Sequence, residues 1–151
     1  MDDVEIRRIR EAEAETVVEL WDRMCAETPD GGPLTEAGRG HLSRMLAVTA
    51  WHRTAFCLVA VVGGEVAGFG LGRVDTGDGL LPDARGEVQE VYAPGAPEVR
   101  ARLAAAVIAR LREMGVSTLR TQVAADEPAE REFWAGQGFE ADLLVMSSYR
   151  S

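Results

Sequence analysis

Two apolar runs that flank a pair of glycines decide the fold: FCLVAVV at positions 56–62, GG at 63–64 and EVAGFGLGRV at 65–74. Apolar runs of this length that are rich in β-branched residues are typical of buried strands. A Gly-Gly step between two strands predicts a tight hairpin, because glycine tolerates the positive φ angles that such turns need. The centre of the chain is therefore predicted to form two antiparallel strands.

Further elements are predicted on both sides of this hairpin from apolar periodicity and from Gly and Pro punctuation. In chain order they are a strand at 4–9, helices at 13–26 and 35–50, the hairpin, a surface loop at 75–85, a strand at 87–93, a helix from Pro97 to Met114, a strand at 116–123, a helix at 128–137 and a strand at 141–149. The predicted order is β-α-α-β-β-β-α-β-α-β.

This order predicts an α+β (α/β) fold in which a mixed, mostly antiparallel sheet is flanked by helices. A strand, a crossing helix and a further strand form a right-handed crossover, which joins parallel neighbours. One parallel pair is therefore expected beside the hairpin strands. A length of 151 residues predicts a single domain over 1–151.

Charge and composition narrow the functional classes. The chain carries 25 Asp and Glu against 16 basic residues, a formal charge of −9, so nucleic acid is not an expected partner. All 16 basic residues are Arg, which excludes chemistry that needs a lysine. No apolar stretch approaches the ~20 residues of a membrane helix, and the acidic first residues differ from a secretory signal. No membrane association and a cytoplasmic location are therefore expected.

Metal binding is not predicted either. Cys25 and Cys57 lie 32 positions apart without a Cys-x-x-Cys pair, and His41 and His52 do not complete a ligand set. The two cysteines are interpreted as small apolar residues. Both histidines are interpreted as structural rather than catalytic.

Four strings in this order resemble the GCN5-related N-acetyltransferase (GNAT) family: VEIR at 4–7, LVAVVGGEVAGF at 58–69, EVQEVYA at 87–93 and FWAGQGF at 133–139. The resemblance implies an N-acetyltransferase, a transferase that moves the acetyl group of acetyl-CoA to a primary amine of a small molecule or peptide. The alternative is a non-catalytic binding or interaction module of the same fold. A homodimer is a further possibility.

The resemblance also implies where acetyl-CoA binds. The pantetheine arm is expected along the fourth strand, on the amides of Val91, Tyr92 and Ala93, and Trp134 is expected beside the cofactor sulfur. In the family, a glycine-rich loop and the helix after it hold the pyrophosphate.

The sequence departs from the family at that loop. PGAPEVRAR at 94–102 has no Gly-x-Gly, and Glu98 places a negative charge near the pyrophosphate position. Arg100, Ala101 and Arg102 are the candidate replacements, with the two arginines binding phosphate by charge. A solvated helix face is the alternative interpretation of the arginines.

Catalysis would need a base for the ammonium substrate and a proton donor for the thiolate. Glu90 is the first candidate base and Glu87 the second; simple strand alternation predicts that they face opposite sides of the sheet. Glu90 as an ordinary strand residue paired with an arginine such as Arg120 is equally open. The family's tyrosine acid is replaced by Trp134, whose indole is not a proton source, so that role is vacant or has moved. Tyr149 is the candidate acid, and a surface aromatic is the alternative interpretation of this residue.

Overall fold

The computed structural model describes residues 3–29, 31–76 and 84–150, which form two compact units, Met1–Thr121 and Gln122–Ser151. The units are described separately, and the single domain over 1–151 stays a prediction. Positions 77–83 of the predicted loop lie outside the described residues. The elements of the first unit are β1 (Val4–Arg8), a 3₁₀ turn (Glu11–Glu13), α1 (Ala14–Glu27), α2 (Glu36–Thr49), β2 (Ala55–Val62), β3 (Glu65–Asp75), β4 (Arg85–Tyr92), α3 (Pro97–Glu113) and β5 (Thr118–Thr121).

The five strands form one sheet in the order β1-β2-β3-β4-β5. The first three pairings are antiparallel, and β4 and β5 are parallel. The parallel pair lies where the crossover through α3 predicts it. The predicted mixed, mostly antiparallel sheet is confirmed.

The glycine turn between β2 and β3 also has the predicted form. Gly63 and Gly64 have φ angles of 58° and 81°, so both central residues occupy the left-handed region. Two such residues match the right-handed twist of the flanking strands. The hairpin prediction is confirmed, and this turn connects β2 to β3, the longest described strand.

One face of the sheet packs against α1 and α2. The core there includes Val17 and Val18 of α1, Leu46 of α2, and Phe69 and Leu71 of β3, all buried. Arg8 fastens the end of α2 to the sheet: its Nε donates to the carbonyl of Thr49 at 2.9 Å, and it also donates to the carbonyl of His52. These hydrogen bonds hold the end of α2 against β1.

The other face of the sheet lies close to α3 because β3 has glycine at alternate positions. A Cβ at Gly70 would stand 2.8 Å from Cγ2 of Val107, and one at Gly72 would stand 2.6 Å from Cζ of Phe56. Both distances are shorter than a real Cβ contact, so the absence of side chains is required for this packing. The spacing between α3 and the sheet is therefore set by β3.

The second unit contains α4 (Pro128–Gly136) and a small aromatic cluster. Trp134 is 5% exposed and makes edge contacts with Phe133 and Phe139, with ring centroids 5.0 and 5.3 Å apart. Gly138 has a φ of 95°, and its amide donates to the carbonyl of Ala135, as expected for a left-handed helix stop. The predicted helix and its glycine end are confirmed.

The predicted strand at 141–149 is wrong. Residues 141–150 form neither strand nor helix, and the apolar side chains of Leu143, Leu144, Val145 and Met146 are 72–85% exposed. A strand needs a backbone partner as well as apolar residues. The apolar run supplied the composition of a strand, and no described residue pairs with it.

Candidate active site

Within the described residues of the first unit, the end of β4 has an open backbone edge, meaning one with which no strand of that unit pairs. Strand β5 pairs only with Arg85–Val88, while β4 continues to Tyr92. The carbonyl of Tyr92 faces β3, because it would stand 2.7 Å from a Cβ at Gly68. Backbone groups alternate along a strand, so the N–H and C=O of Val91 face the open edge instead. A ligand with amide groups finds one donor and one acceptor there.

The two arginines at the start of α3 diverge from each other. Nε of Arg100 donates to the carbonyl of Val91 at 3.1 Å, which places its side chain at the open edge. Nη2 of Arg102 donates to the carbonyl of Val4, at 3.4 Å, on β1 at the opposite edge of the sheet. Ala101 lies between them, half-buried. The structure therefore brings Arg100, and not Arg102, to the end of β4.

A β-bulge in β4 changes which side chains share a face. Leu71 pairs with Glu90, but the next residue of β3 pairs with Val88, which leaves Gln89 as the extra residue. Glu87 lies opposite Arg73, two positions from Leu71 on the same face. The prediction that Glu87 and Glu90 face opposite sides is wrong, because the inserted residue shifts the alternation by one.

Glu87 is held in an ion pair on this face. Its Oε2 accepts from Nε of Arg73 at 2.7 Å, and this contact raises the pKa of the arginine. A charge-assisted hydrogen bond from an arginine orients a carboxylate and occupies one of its oxygens. Glu87 is thus the less suitable of the two candidate bases.

Tyr92 places a phenol on the same face. Its ring packs 6.0 Å from that of Phe69, which in turn stacks on Trp21 of α1 at 5.4 Å. The hydroxyl donates to Oε2 of Glu27 at 2.8 Å, at the last residue of α1. Burial first, and then this carboxylate, raise the pKa of Tyr92 to about 12. The phenol therefore stays protonated near neutral pH.

Glu90 lies between Glu87 and Tyr92 in sequence. Its side chain is half-buried on the face covered by α1. Burial first, and then the charges of Asp22 and Glu90, raise the pKa of the Cys25 thiol. Two carboxylates, those of Glu90 and Glu27, thus lie in this part of the molecule, and Glu27 is also paired with Arg23 at 3.2 Å.

The architecture has known counterparts. No family model and no curated protein matches the chain. The aminoglycoside N-acetyltransferase AAC(6')-Iy in complex with CoA matches with a TM-score of 0.77 at 14% identity, over 99% of this chain and 96% of that chain. An acetyltransferase from Arthrobacter sp. FB24 gives 0.74 at 21% identity, over 97% and 95%. The chain has the fold of the GNAT acetyltransferases. A transcriptional regulator from Bacillus halodurans C-125 shares it, with a TM-score of 0.78 at 18% identity over 98% and 100%.

The GNAT fold gives the open edge of β4 a testable meaning, since acetyl-CoA is the co-substrate that the resemblance implies. The pantetheine arm carries two amides, and one of them can donate to the C=O of Val91, which also accepts from Nε of Arg100. Ala93 contributes less, because its carbonyl accepts from the amide of Ala96 at 3.3 Å. The residues present fit the pantetheine end of the molecule.

Two predicted site residues, the candidate acid Tyr149 and the tryptophan Trp134, belong to the second unit. Tyr149 is exposed, and Trp134 is buried within its own aromatic cluster. Their roles as proton donor and as neighbour of the cofactor sulfur stay predictions. The histidines are placed elsewhere: Nδ1 of His52 accepts from the amides of Thr54 and Ala55, at 3.1 and 3.2 Å, and His41 is exposed on α2.

Sequence reasoning missed three side chains at the end of β4: Trp21, Glu27 and the phenol of Tyr92. Trp21 carried a signal, since it lies on the apolar stripe of the first helix. Glu27 carried none, because a glutamate at a helix end is usually solvated. Among the residues described, no three His, Cys, Asp or Glu gather as metal ligands, and no helix is long and apolar enough to cross a membrane.

Proposed function

We propose that this protein is an N-acetyltransferase that moves the acetyl group of acetyl-CoA to a primary amine of a small molecule or peptide. The observation that carries the proposal is the end of β4. The open backbone edge at Val91 adjoins two polar side chains, Glu90 and Tyr92, on the face covered by α1. An acyl group held at the edge is therefore adjacent to groups that can bind and deprotonate an amine.

Each residue at this end of β4 has an assigned task. Glu90 accepts the proton of the acceptor ammonium, so that the neutral nitrogen attacks. The N–H of Val91 donates to the thioester carbonyl oxygen, where negative charge develops. A C–N bond forms and the C–S bond breaks, and the departing thiolate takes up a proton.

Tyr92 is not suited to give that proton. Its hydrogen already lies in the bond to Glu27, and its pKa of about 12 keeps the phenol protonated. Its oxygen lone pairs are instead available to accept from the substrate ammonium. We keep Tyr149 as the proton donor to the thiolate, as the sequence predicts.

Two further observations support a cationic acceptor. The net charge of −9 and the carboxylates of Glu27 and Glu90 attract ammonium groups. A structural counterpart, AAC(6')-Iy, has been solved in complex with the bisubstrate analogue CoA-S-monomethyl-acetylneamine. The cytoplasmic location that the sequence predicts remains part of the proposal, and a homodimer remains a further possibility.

Transfer is tested by incubating the purified protein with acetyl-CoA and a panel of primary mono- and polyamines, and detecting the acetylated amine by mass spectrometry. Acetylation that is lost in Glu90→Gln supports the proposal. Binding of coenzyme A without transfer to any amine would favour the non-catalytic module. One observation gives that module weight: the first turn of α3 has few groups for a diphosphate.

A further inference from the structure

The first turn of α3 offers few backbone donors. Pro97, the first helical residue, has no N–H, and no side chain caps the helix at Ala96. The amide of Ala96 donates to Ala93, and that of Arg100 donates to Ala96 at 3.0 Å. Only the amides of Glu98 and Val99 are left, where a helix start normally provides more. This terminus is poorly equipped to hold a diphosphate.

The charge at this helix start is also unfavourable for phosphate. Glu98 is an exposed acid in the first turn, where it compensates the positive end of the helix dipole. The chain contains no lysine. Arg100 and Arg102 both donate to strand carbonyls, one at each edge region of the sheet. The carboxylate of Glu98 thus occupies the helix end at which a phosphate would bind.

The loop before α3 has a single glycine, Gly95, and no Gly-x-Gly. Gly95 has a φ of 70°, which explains the residue type by conformation. The glycine makes a turn possible, and the backbone after it carries side chains at every position.

The open edge of β4, in contrast, is suited to an uncharged arm. An extended chain with amides adds to a free strand edge through main-chain hydrogen bonds. The carbonyl of Val91 has two lone pairs, so it can accept from such an amide and from Arg100 together. Binding strength at this site is concentrated on the pantetheine end of a donor.

From this contrast we infer that the protein recognises its acyl donor through the acyl-pantetheine arm, and that the diphosphate and nucleotide of coenzyme A contribute little. Acyl-pantetheine thioesters without phosphate are then donors as well. The inference rests on the proposed acyl transfer. In the reaction, the amine nitrogen forms a bond to the acyl carbon, the C–S bond breaks, and pantetheine leaves as a thiol with the proton that the amine releases.

The test compares three donors with one amine acceptor: acetyl-CoA, S-acetyl-4′-phosphopantetheine and S-acetyl-pantetheine. We expect kcat/KM values within about tenfold of one another. The dissociation constants of the free thiols, measured by calorimetry, should agree equally well. A larger loss on removing the nucleotide or the phosphate overturns the inference but leaves the acetyltransferase intact. If no donor transfers and no thiol binds, both proposals fail.

Matched variants locate the effect on the helix. Glu98→Gln should strengthen binding of coenzyme A by about two- to fivefold and leave pantetheine unchanged. Glu113→Gln, at the other end of α3, is the control and should change neither. Equal changes for both thiols in Glu98→Gln would contradict the role of this acid. If the Arg100→Ala, Arg102→Ala double variant binds coenzyme A more weakly and pantetheine as well as the parent does, the two arginines bind the phosphates. That result would overturn the inference.

Discussion

The hydroxyl of Tyr92 on β4 donates a 2.8 Å hydrogen bond to Oε2 of Glu27 at the end of α1. The two residues are 65 positions apart, and their contact joins the sheet to the helix that covers it. Glu27 also accepts from Arg23, one turn earlier, at 3.2 Å. The carboxylate is therefore oriented from its own helix while it receives the phenol.

This bond predicts the titration of Tyr92. In a Tyr149→Phe background Tyr92 is the only tyrosine, and its phenolate absorbance should appear with a midpoint of about 12. Adding Glu27→Gln should lower the midpoint but leave it above 10, because burial, the largest cause, persists. Glu19→Gln, also on α1, should leave it unchanged. Circular dichroism recorded in parallel shows that the chain is still folded; a midpoint near 10 in the folded parent would contradict the contact.

A second prediction concerns the base. Glu90→Gln should lower kcat/KM by about 10²- to 10⁴-fold and remove the acidic limb of its pH profile, because an amide cannot accept the proton. Activity of the parent should fall as the pH decreases and the carboxylate is protonated.

The control for this prediction is Glu87→Gln. It removes an exposed ion pair with Arg73, so its cost is about 1 kcal/mol of stability or less, with the acidic limb retained. Loss of the limb in Glu87→Gln but not in Glu90→Gln would reverse the two roles.

A third prediction follows from the bidentate pair of Arg7 and Glu13. Their two hydrogen bonds measure 2.8 and 2.7 Å, and they lower the pKa of Glu13 below its ordinary value of 4.5. The stabilisation is present above that value and is lost as the pH falls through the lower, folded pKa. Glu13→Gln should reduce the free energy of unfolding by about 1–2 kcal/mol at pH 7, because it removes the charged partner of the bidentate pair and leaves Arg7 with Glu5, at 3.6 Å, as its acidic neighbour.

The difference between Glu13→Gln and the parent should shrink below pH 4, as measured by urea denaturation across pH. Glu11→Gln, an exposed acid in the same turn, serves as the control and should match the parent throughout. A difference that stays constant down to pH 2 is incompatible with the ion pair as its source.

A fourth prediction concerns the packing of α3. Gly72→Ala places a Cβ 2.6 Å from Cζ of Phe56 and should cost about 1–3 kcal/mol in the free energy of unfolding. Gly136→Ala, in α4, meets nothing within 4 Å and should be neutral or stabilising by up to about 1 kcal/mol. Equal thermal unfolding midpoints for both variants would show that Phe56 and α3 move aside for the added Cβ at little cost.

Local signals explain which elements the sequence predicted. The Gly63-Gly64 turn depends on the backbone preference of its own two residues, and the structure has both at positive φ. The Glu27–Tyr92 bond carries no local signal, because it depends on how α1 lies over β4. The strand at 141–149 failed for a related reason, since a backbone partner cannot be deduced from an apolar run.

The bulge at Gln89 means that the number of residues in β4 decides which of its side chains share a face. Removing that one residue would restore simple alternation and turn Glu87 and Glu90 to opposite sides, although neither side chain had been altered. An ungapped comparison with a relative that lacks the insertion would therefore equate residues that point in different directions. Homologous positions in this strand have to be assigned by pairing partner, with a one-residue gap permitted beside Val88.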